Sequence, residues 1–138
     1  MDVTPKEEDC LEVIYRGDKR VKDIAKKLNI KAPTLVELLE RMERKGLIVH
    51  KKYGPVELTE KGREIAEKVL RRHGILTNFF IEVLGMDAEK GEEEACRIEH
   101  YLDEETIERF VDFIHFVKEE FDGEVLKKFR EFIEKGSR

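Results

Sequence analysis

The fold of this 138-residue chain is decided by residues 21–58, VKDIAKKLNIKAPTLVELLERMERKGLIVHKKYGPVEL. Val21 to Leu28 carries apolar residues at helical spacing, and Asn29 to Ala32 breaks the pattern with turn chemistry. Pro33 then suits the first turn of a second helix, where its missing N–H costs nothing, and that helix runs to a stop at Gly46. Beyond it the period shortens. The β-branched run within Leu47 to Lys52 and the segment Val56 to Leu58 flank Tyr53-Gly54-Pro55, which predicts a short hairpin. Upstream, Thr4-Pro5-Lys6-Glu7 reads as a capping box opening a first helix that ends at Gly17, with Cys10, Leu11, Ile14 and Tyr15 on one stripe.

Helix, helix, turn, helix and hairpin in this order describe a winged helix-turn-helix, whose second paired helix enters the major groove of DNA. Its N-terminal residues here are Lys31, Ala32, Pro33, Thr34, Val36 and Glu37. Lys31 and Thr34 can reach phosphate or base edges, and Pro33 can pack on a thymine methyl. Lys51, Lys52 and Tyr53, at the hairpin, are placed to follow the flanking backbone. The charge distribution supports this. Residues 16–72 hold 17 basic and 9 acidic side chains, net +8, while the remainder holds 10 and 23, net −13. A basic module joined to an acidic one fits nucleic-acid binding by one half; solvated helical surfaces with clustered charge are the plainer alternative.

The rest of the chain is helical by period. Thr59 caps a long helix through Ile65, Val69, Leu76, Phe79 and Val83 to Leu84, and Asp87 caps another expected to include His100. Asp103 opens a sixth helix with Ile107, Phe110, Ile114 and Val117 in a stripe, and a seventh covers 123–135. The expected fold class is mainly α: a winged helix-turn-helix over 1–72, then an all-helical region over 73–138, bridged by the helix at about 60–84. No apolar run approaches the roughly 20 residues that span a bilayer, so the expected setting is cytoplasmic, without a membrane partner. Two distant cysteines, Cys10 and Cys96, do not suggest a disulfide framework.

Within the fifth helix, ACRIEHYL (95–102) places Cys96, Glu99 and His100 at i, i+3 and i+4, all metal-ligand types on one helical face. Three ligands on one turn do not complete a transition-metal site, which gathers roughly four to six donors. Asp9 and Glu12, at i and i+3 of the first helix, and His73 in the fourth supply further candidates. Each has an ordinary reading too. Asp9 and Glu12 suit the macrodipole near a helix N-terminus, His73 could be a half-buried histidine, and Cys96 a small core residue.

These residues resemble the metal-dependent repressors related to the diphtheria toxin repressor and the manganese transport regulator. The resemblance rests on EDCLEVIY (8–15), DIAKKLNIKAPTLVELLERMERKGLI (23–48), LTEKGREIAEKVLRRH (58–73), LGMD (84–87) and EACRIEHYL (94–102), in order along nearly the whole chain. It implies a homodimer formed through the C-terminal helical region that binds double-stranded operator DNA when loaded with Fe(II) or Mn(II), and represses metal-uptake genes. It also implies metal ligation by Asp9, Glu12, His73, Cys96, Glu99 and His100. Asp9 and Glu12 follow the manganese-regulator pattern, while Cys96 follows the iron-repressor pattern, where manganese regulators place Glu. Thr77 and Glu92 stand where the family often has a second-site Glu and His. The SH3-like third domain of longer members has no counterpart, and the last helix resembles the manganese-regulator C-terminus.

Oxygen donors suit Mn(II), whereas a thiolate favours Fe(II) and admits Co(II), Ni(II) or Zn(II) in vitro. Two other functions compete: a metal-independent winged-helix regulator that senses oxidants through Cys96 or Cys10, and a helical metalloenzyme using Glu99 or Glu12 as base. The enzyme leaves the basic wing without a role and ranks last; the expectation is a non-enzymatic regulator.

Overall fold

A computed structural model describes residues 2–121 and 123–136. The chain divides into two compact units, residues 1–70 and 71–138, and the division falls within one helix.

In the first unit, α1 (Pro5–Tyr15) begins with a complete capping box. The Thr4 hydroxyl accepts from the Glu7 amide at 3.2 Å, and the Glu7 carboxylate accepts from the Thr4 amide at 2.8 Å. α2 (Val21–Leu28) closes on Asn29 in the left-handed conformation, a shape Asn tolerates better than most residues. α3 (Ala32–Arg44) starts one residue before Pro33, so the proline occupies the second helical position rather than the first. Neither position needs the missing N–H. Strands β1 (Ile48–His50) and β2 (Val56–Leu58) pair antiparallel, Ile48 opposite Leu58 and His50 opposite Val56. This is a winged helix-turn-helix.

Its core is one cluster containing Cys10, Leu11, Ile14, Ile24, Leu35, Leu39, Met42, Leu47, Ile48 and Val56, all essentially sealed from solvent. Each large aliphatic there stabilises the fold by about 1.5–3 kcal/mol through burial. The inward stripe of α3, Leu35, Leu38, Leu39 and Met42, leaves its other face to solvent. The wing leads into α4 (Glu60–Asn78) by a close backbone crossing. The Thr59 hydroxyl donates to the Gly46 carbonyl at 2.7 Å and accepts from the Gly62 amide at 3.1 Å. A Cβ on Gly62 would sit 2.0 Å from the Leu47 carbonyl oxygen, so only glycine fits.

The second unit contains the end of α4, a π-helical turn at Phe79–Val83, α5 (Ala88–Ile98), α6 (Glu104–Glu120) and α7 (Glu124–Glu134). The sequence pattern predicts α-helix to Leu84, but the last turn is wider: the Leu84 amide donates to the Phe79 carbonyl at 3.0 Å, five residues back. The added residue re-aims the aromatic side chains, and Phe79 stands edge-on to Phe110 with centroids 4.8 Å apart. The core here gathers Leu76, Ala95 and Ile107 with Phe80, Ile98, Leu102 and Phe110. Gly91 on α5 lets that helix pack against Ile81, which a Cβ would meet at 2.6 Å. Asp87 and Asp103 cap α5 and α6 as their positions predict, accepting from the Lys90 and Thr106 amides at 2.9 and 2.8 Å. The capping bonds hold the Asp103 carboxyl below its usual range. No helix among the described residues is long and apolar enough to cross a membrane.

The Gly62 crossing yields a stability test. Gly62→Ala drives a methyl into backbone that cannot swing aside, and denaturant unfolding should show a loss of about 3 kcal/mol. Retention of wild-type stability would contradict the close approach.

Candidate metal centre

The centre of the second unit is Glu99, a carboxylate that is only 1% exposed. The local chain puts it there in an unexpected way. The sequence predicts helix through His100, but α5 stops at Ile98. Glu99 is its C-cap, donating its amide to the Ala95 carbonyl at 3.0 Å, and His100 lies in the following turn. Arg72, itself buried, holds this end of the helix: its guanidinium Nη1 donates to the Glu99 carbonyl at 3.0 Å and, more weakly, to the Leu102 carbonyl at 3.4 Å. Carbonyls at a helix C-terminus carry partial negative charge, so a cation there both satisfies them and opposes the dipole.

Around the carboxylate stand two imidazoles and a thiol. His73 Nδ1 is 2.6 Å from Glu99 Oε2, and His100 Nε2 is 3.4 Å from Glu99 Oε1. Cys96 Sγ lies 3.7 Å from the same His73 nitrogen. Ligand atoms of His73, Cys96 and Glu99 all fall within 4.8 Å of one another. A nitrogen, a sulfur and an oxygen donor that close can share one cation, because metal–ligand bonds are about 2.0–2.3 Å long. The mixed donor set suits a borderline transition ion better than magnesium or calcium, which take oxygen alone. The residues present therefore fit a divalent transition metal.

The other expected ligands sit in the first unit. Asp9 and Glu12 are one turn apart on α1; Glu12 is buried and accepts from Arg16 Nη2 at 2.8 Å. Cys10, between them, belongs to the core: burial, with the nearby Asp9 and Glu7 charges, pushes its thiol up to about 12. A thiol so protected is a poor oxidant sensor. Cys96, by contrast, is exposed. Thr77, one turn past His73, has a buried hydroxyl with no hydrogen-bond partner among the described residues. Glu92 Oε1 lies 3.7 Å from His73 Nε2, on the opposite side of the ring from Glu99.

The expected DNA-facing residues are all exposed. Lys31, Ala32, Pro33, Thr34, Val36 and Glu37 form the open face of the N-terminal half of α3 and its cap. Lys51, Lys52 and Tyr53 form the wing tip, where Tyr53 is 95% exposed and Lys52 Nζ sits 5.4 Å from its ring centroid. Sequence reading missed a hollow of about 460 Å³ beside the wing, lined by Lys19, Arg20, His50 and Tyr53 among others. Its signal was present only as a local excess of basic residues.

Comparison with known proteins agrees with this geometry. Residues 2–56 match the family described as "Iron dependent repressor, N-terminal DNA binding domain", and residues 59–126 match "Iron dependent repressor, metal binding and dimerisation domain". An uncharacterized HTH-type transcriptional regulator of Methanocaldococcus jannaschii is 36% identical over 81% of this chain and 94% of its own length. The HTH-type transcriptional regulator MntR of Lysinibacillus sphaericus is 31% identical, covering 91% of both chains. Among solved structures, a manganese-dependent transcriptional repressor in complex with manganese is similar with a TM-score of 0.72 and 30% identity. The manganese regulator SloR is similar at 0.70 and 27%. The alignments cover 79% and 84% of this chain but 52% and 55% of those proteins, so it spans about half their length.

Cobalt provides a direct check on the donor set. Co(II) added to the metal-free protein should produce a near-ultraviolet thiolate-to-metal band that Cys96→Ser abolishes while leaving the fold intact. A band that survives the substitution would remove Cys96 from the ligand set.

Proposed function

We propose, on the premise that this chain belongs to the iron-dependent repressor family of the diphtheria toxin repressor and manganese transport regulator, that it represses metal-uptake genes in response to Fe(II) or Mn(II). The family consists of metal-dependent transcriptional regulators rather than enzymes. The observation that carries the proposal is the convergence of His73, Cys96 and Glu99 in a chain that also presents an open, basic winged helix.

In this reading Asp9, Glu12, His73, Cys96, Glu99 and His100 hold the ion. A divalent cation would supply positive charge that offsets the mutual repulsion of the carboxylates. The protein's own part is to orient the donors: Arg72 fixes the backbone at Glu99, and the core contacts of α4 and α5 fix the two helices that carry His73 and Cys96. The DNA half places Lys31, Thr34 and their neighbours at base edges and phosphates, with Lys51, Lys52 and Tyr53 along the backbone. Lys19 and Arg20 add positive charge beside the wing.

Dimer formation, a property of the matched C-terminal family, would pair two DNA halves at half-site spacing. The apolar surface for it is present. Phe113 and Phe116 on α6 and Phe132 and Ile133 on α7 are each 42–51% exposed, large apolar side chains of the kind that a partner surface covers. The thiolate tilts the donor set towards Fe(II) and the carboxylates towards Mn(II). Exposure of Cys96 also supports a second reading, in which its oxidation releases DNA without any metal.

Operator affinity measured with and without Mn(II) or Fe(II) separates these readings. Metal should raise wild-type affinity by about 5- to 150-fold, and Glu99→Ala should lose that response. Equal affinities in every case would end the proposal, and metal-free binding that only oxidant abolishes would install the second reading. Separately, Lys51→Ala should weaken binding to all sequences and lower the salt slope by about one. An effect confined to one base position would contradict a phosphate contact.

A further inference from the structure

The first unit contains a buried charge cluster that neither the metal ligands nor the DNA face accounts for. Glu7 is completely buried, yet it lies on the charged first turn of a helix. Lys45 Nζ donates to its Oε1 at 2.8 Å and Arg41 Nε to its Oε2 at 2.9 Å, besides the bond from the Thr4 amide. Lys45 also donates to the Asp2 carbonyl at 2.9 Å, drawing the chain before α1 into the same cluster. The partners are 34 and 38 residues away, on the last turns of α3 and its C-cap.

α1 packs against α2 and β2, while α3 packs against α2 and β1. The Glu7 cluster ties α1 directly to α3. A buried carboxylate with two cations adds little net stability compared with apolar side chains of the same volume. It is, however, specific in geometry, since sliding or turning α1 by one residue would leave a buried charge without its partners. Glu7 precedes Asp9 by two residues and Glu12 by five, about 3 and 7.5 Å along the helix axis. α3, held at the other end, is the helix whose N-terminal half presents Lys31 to Glu37.

We propose that Glu7, through its bonds to Arg41 and Lys45, is a positioning residue that makes α3 follow α1, so that metal ligation at Asp9 and Glu12 changes the placement of the DNA-reading helix. The inference rests on the metal-dependent repressor reading. Any force that shifts α1 then either moves α3 with it or breaks charge-assisted hydrogen bonds to a carboxylate that water does not reach. Without the link, α1 and α3 would be joined only through the shared apolar core, which is non-directional and does not fix one helix's register against the other.

The readout is the factor by which Mn(II) raises operator affinity, together with the reciprocal factor by which operator DNA tightens Mn(II) binding. A ratio cancels the general loss of DNA attraction that removing a positive charge causes. Lys45→Met and Glu7→Gln should each bring both factors down to within about twofold of one. Lys45→Arg, which keeps the charge and the reach, should stay within about twofold of wild type, and Mn(II) affinity without DNA should be unchanged in all three. Thermal unfolding run alongside identifies a purely structural role: Lys45→Met that loses stability but keeps both factors overturns the inference. So does Lys45→Arg falling as low as Lys45→Met. Should Glu7→Gln not fold, the two Lys45 variants decide the matter. Absence of any metal effect in the wild-type protein would instead overturn the repressor reading itself.

Discussion

A single buried carboxylate organises the second half of this molecule. Glu99 is sealed from water, lies 2.6 Å from His73, and has its backbone carbonyl gripped by Arg72. A group in that position tolerates its charge only if positive partners or hydrogen-bond donors surround it. The demands of Glu99 explain why an arginine and two histidines with little solvent exposure crowd the junction of α4 and the end of α5. The helix gives up one residue of regularity at Glu99, and Arg72 takes over the carbonyl that another turn would have satisfied.

The first half solves a related problem with a different outcome. Glu7 is also a fully buried carboxylate, and burial works to raise its pKa. The hydrogen bonds from Lys45, the Thr4 amide and Arg41 outweigh that and hold it below the usual carboxylate range. Glu7 therefore stays ionised, whereas Cys10, three residues along the same helix, stays protonated. Burial acts to raise both groups, and only at Glu7 do cations and hydrogen-bond donors reverse that direction. The cluster that keeps Glu7 charged also uses up Arg41 and Lys45, so the positive surface offered to DNA comes from other residues, on the N-terminal half of α3 and the wing.

Much of the fold was legible because its signals are local. The capping residues Thr4, Asp87 and Asp103 are where the sequence places them, and the α3 stripe faces inward as its period requires. The donor types and their spacing were equally visible in ACRIEHYL and around His73. Other features were hidden. Nothing in the Phe79–Val83 run announces a π-helical turn, and the edge-on contact of Phe79 with Phe110 of α6 joins residues thirty-one apart. Glu7 reads in sequence as an ordinary capping-box glutamate, since its cations lie more than thirty residues away.

By itself, then, the sequence determined the order of the elements, which face of each is apolar, and which residue types could bind an ion or a phosphate. These depend on backbone geometry and side-chain chemistry within one turn or one hairpin. Only the tertiary structure decided which of those groups meet. That His73, Cys96 and Glu99 fall within 4.8 Å of one another, that Glu99 leaves its helix, and that Arg72 and Lys45 serve buried carboxylates all follow from packing between distant segments. Periodicity assigns a residue to a face. The partner facing it is chosen by long-range contacts that bury apolar surface and leave no buried charge unanswered.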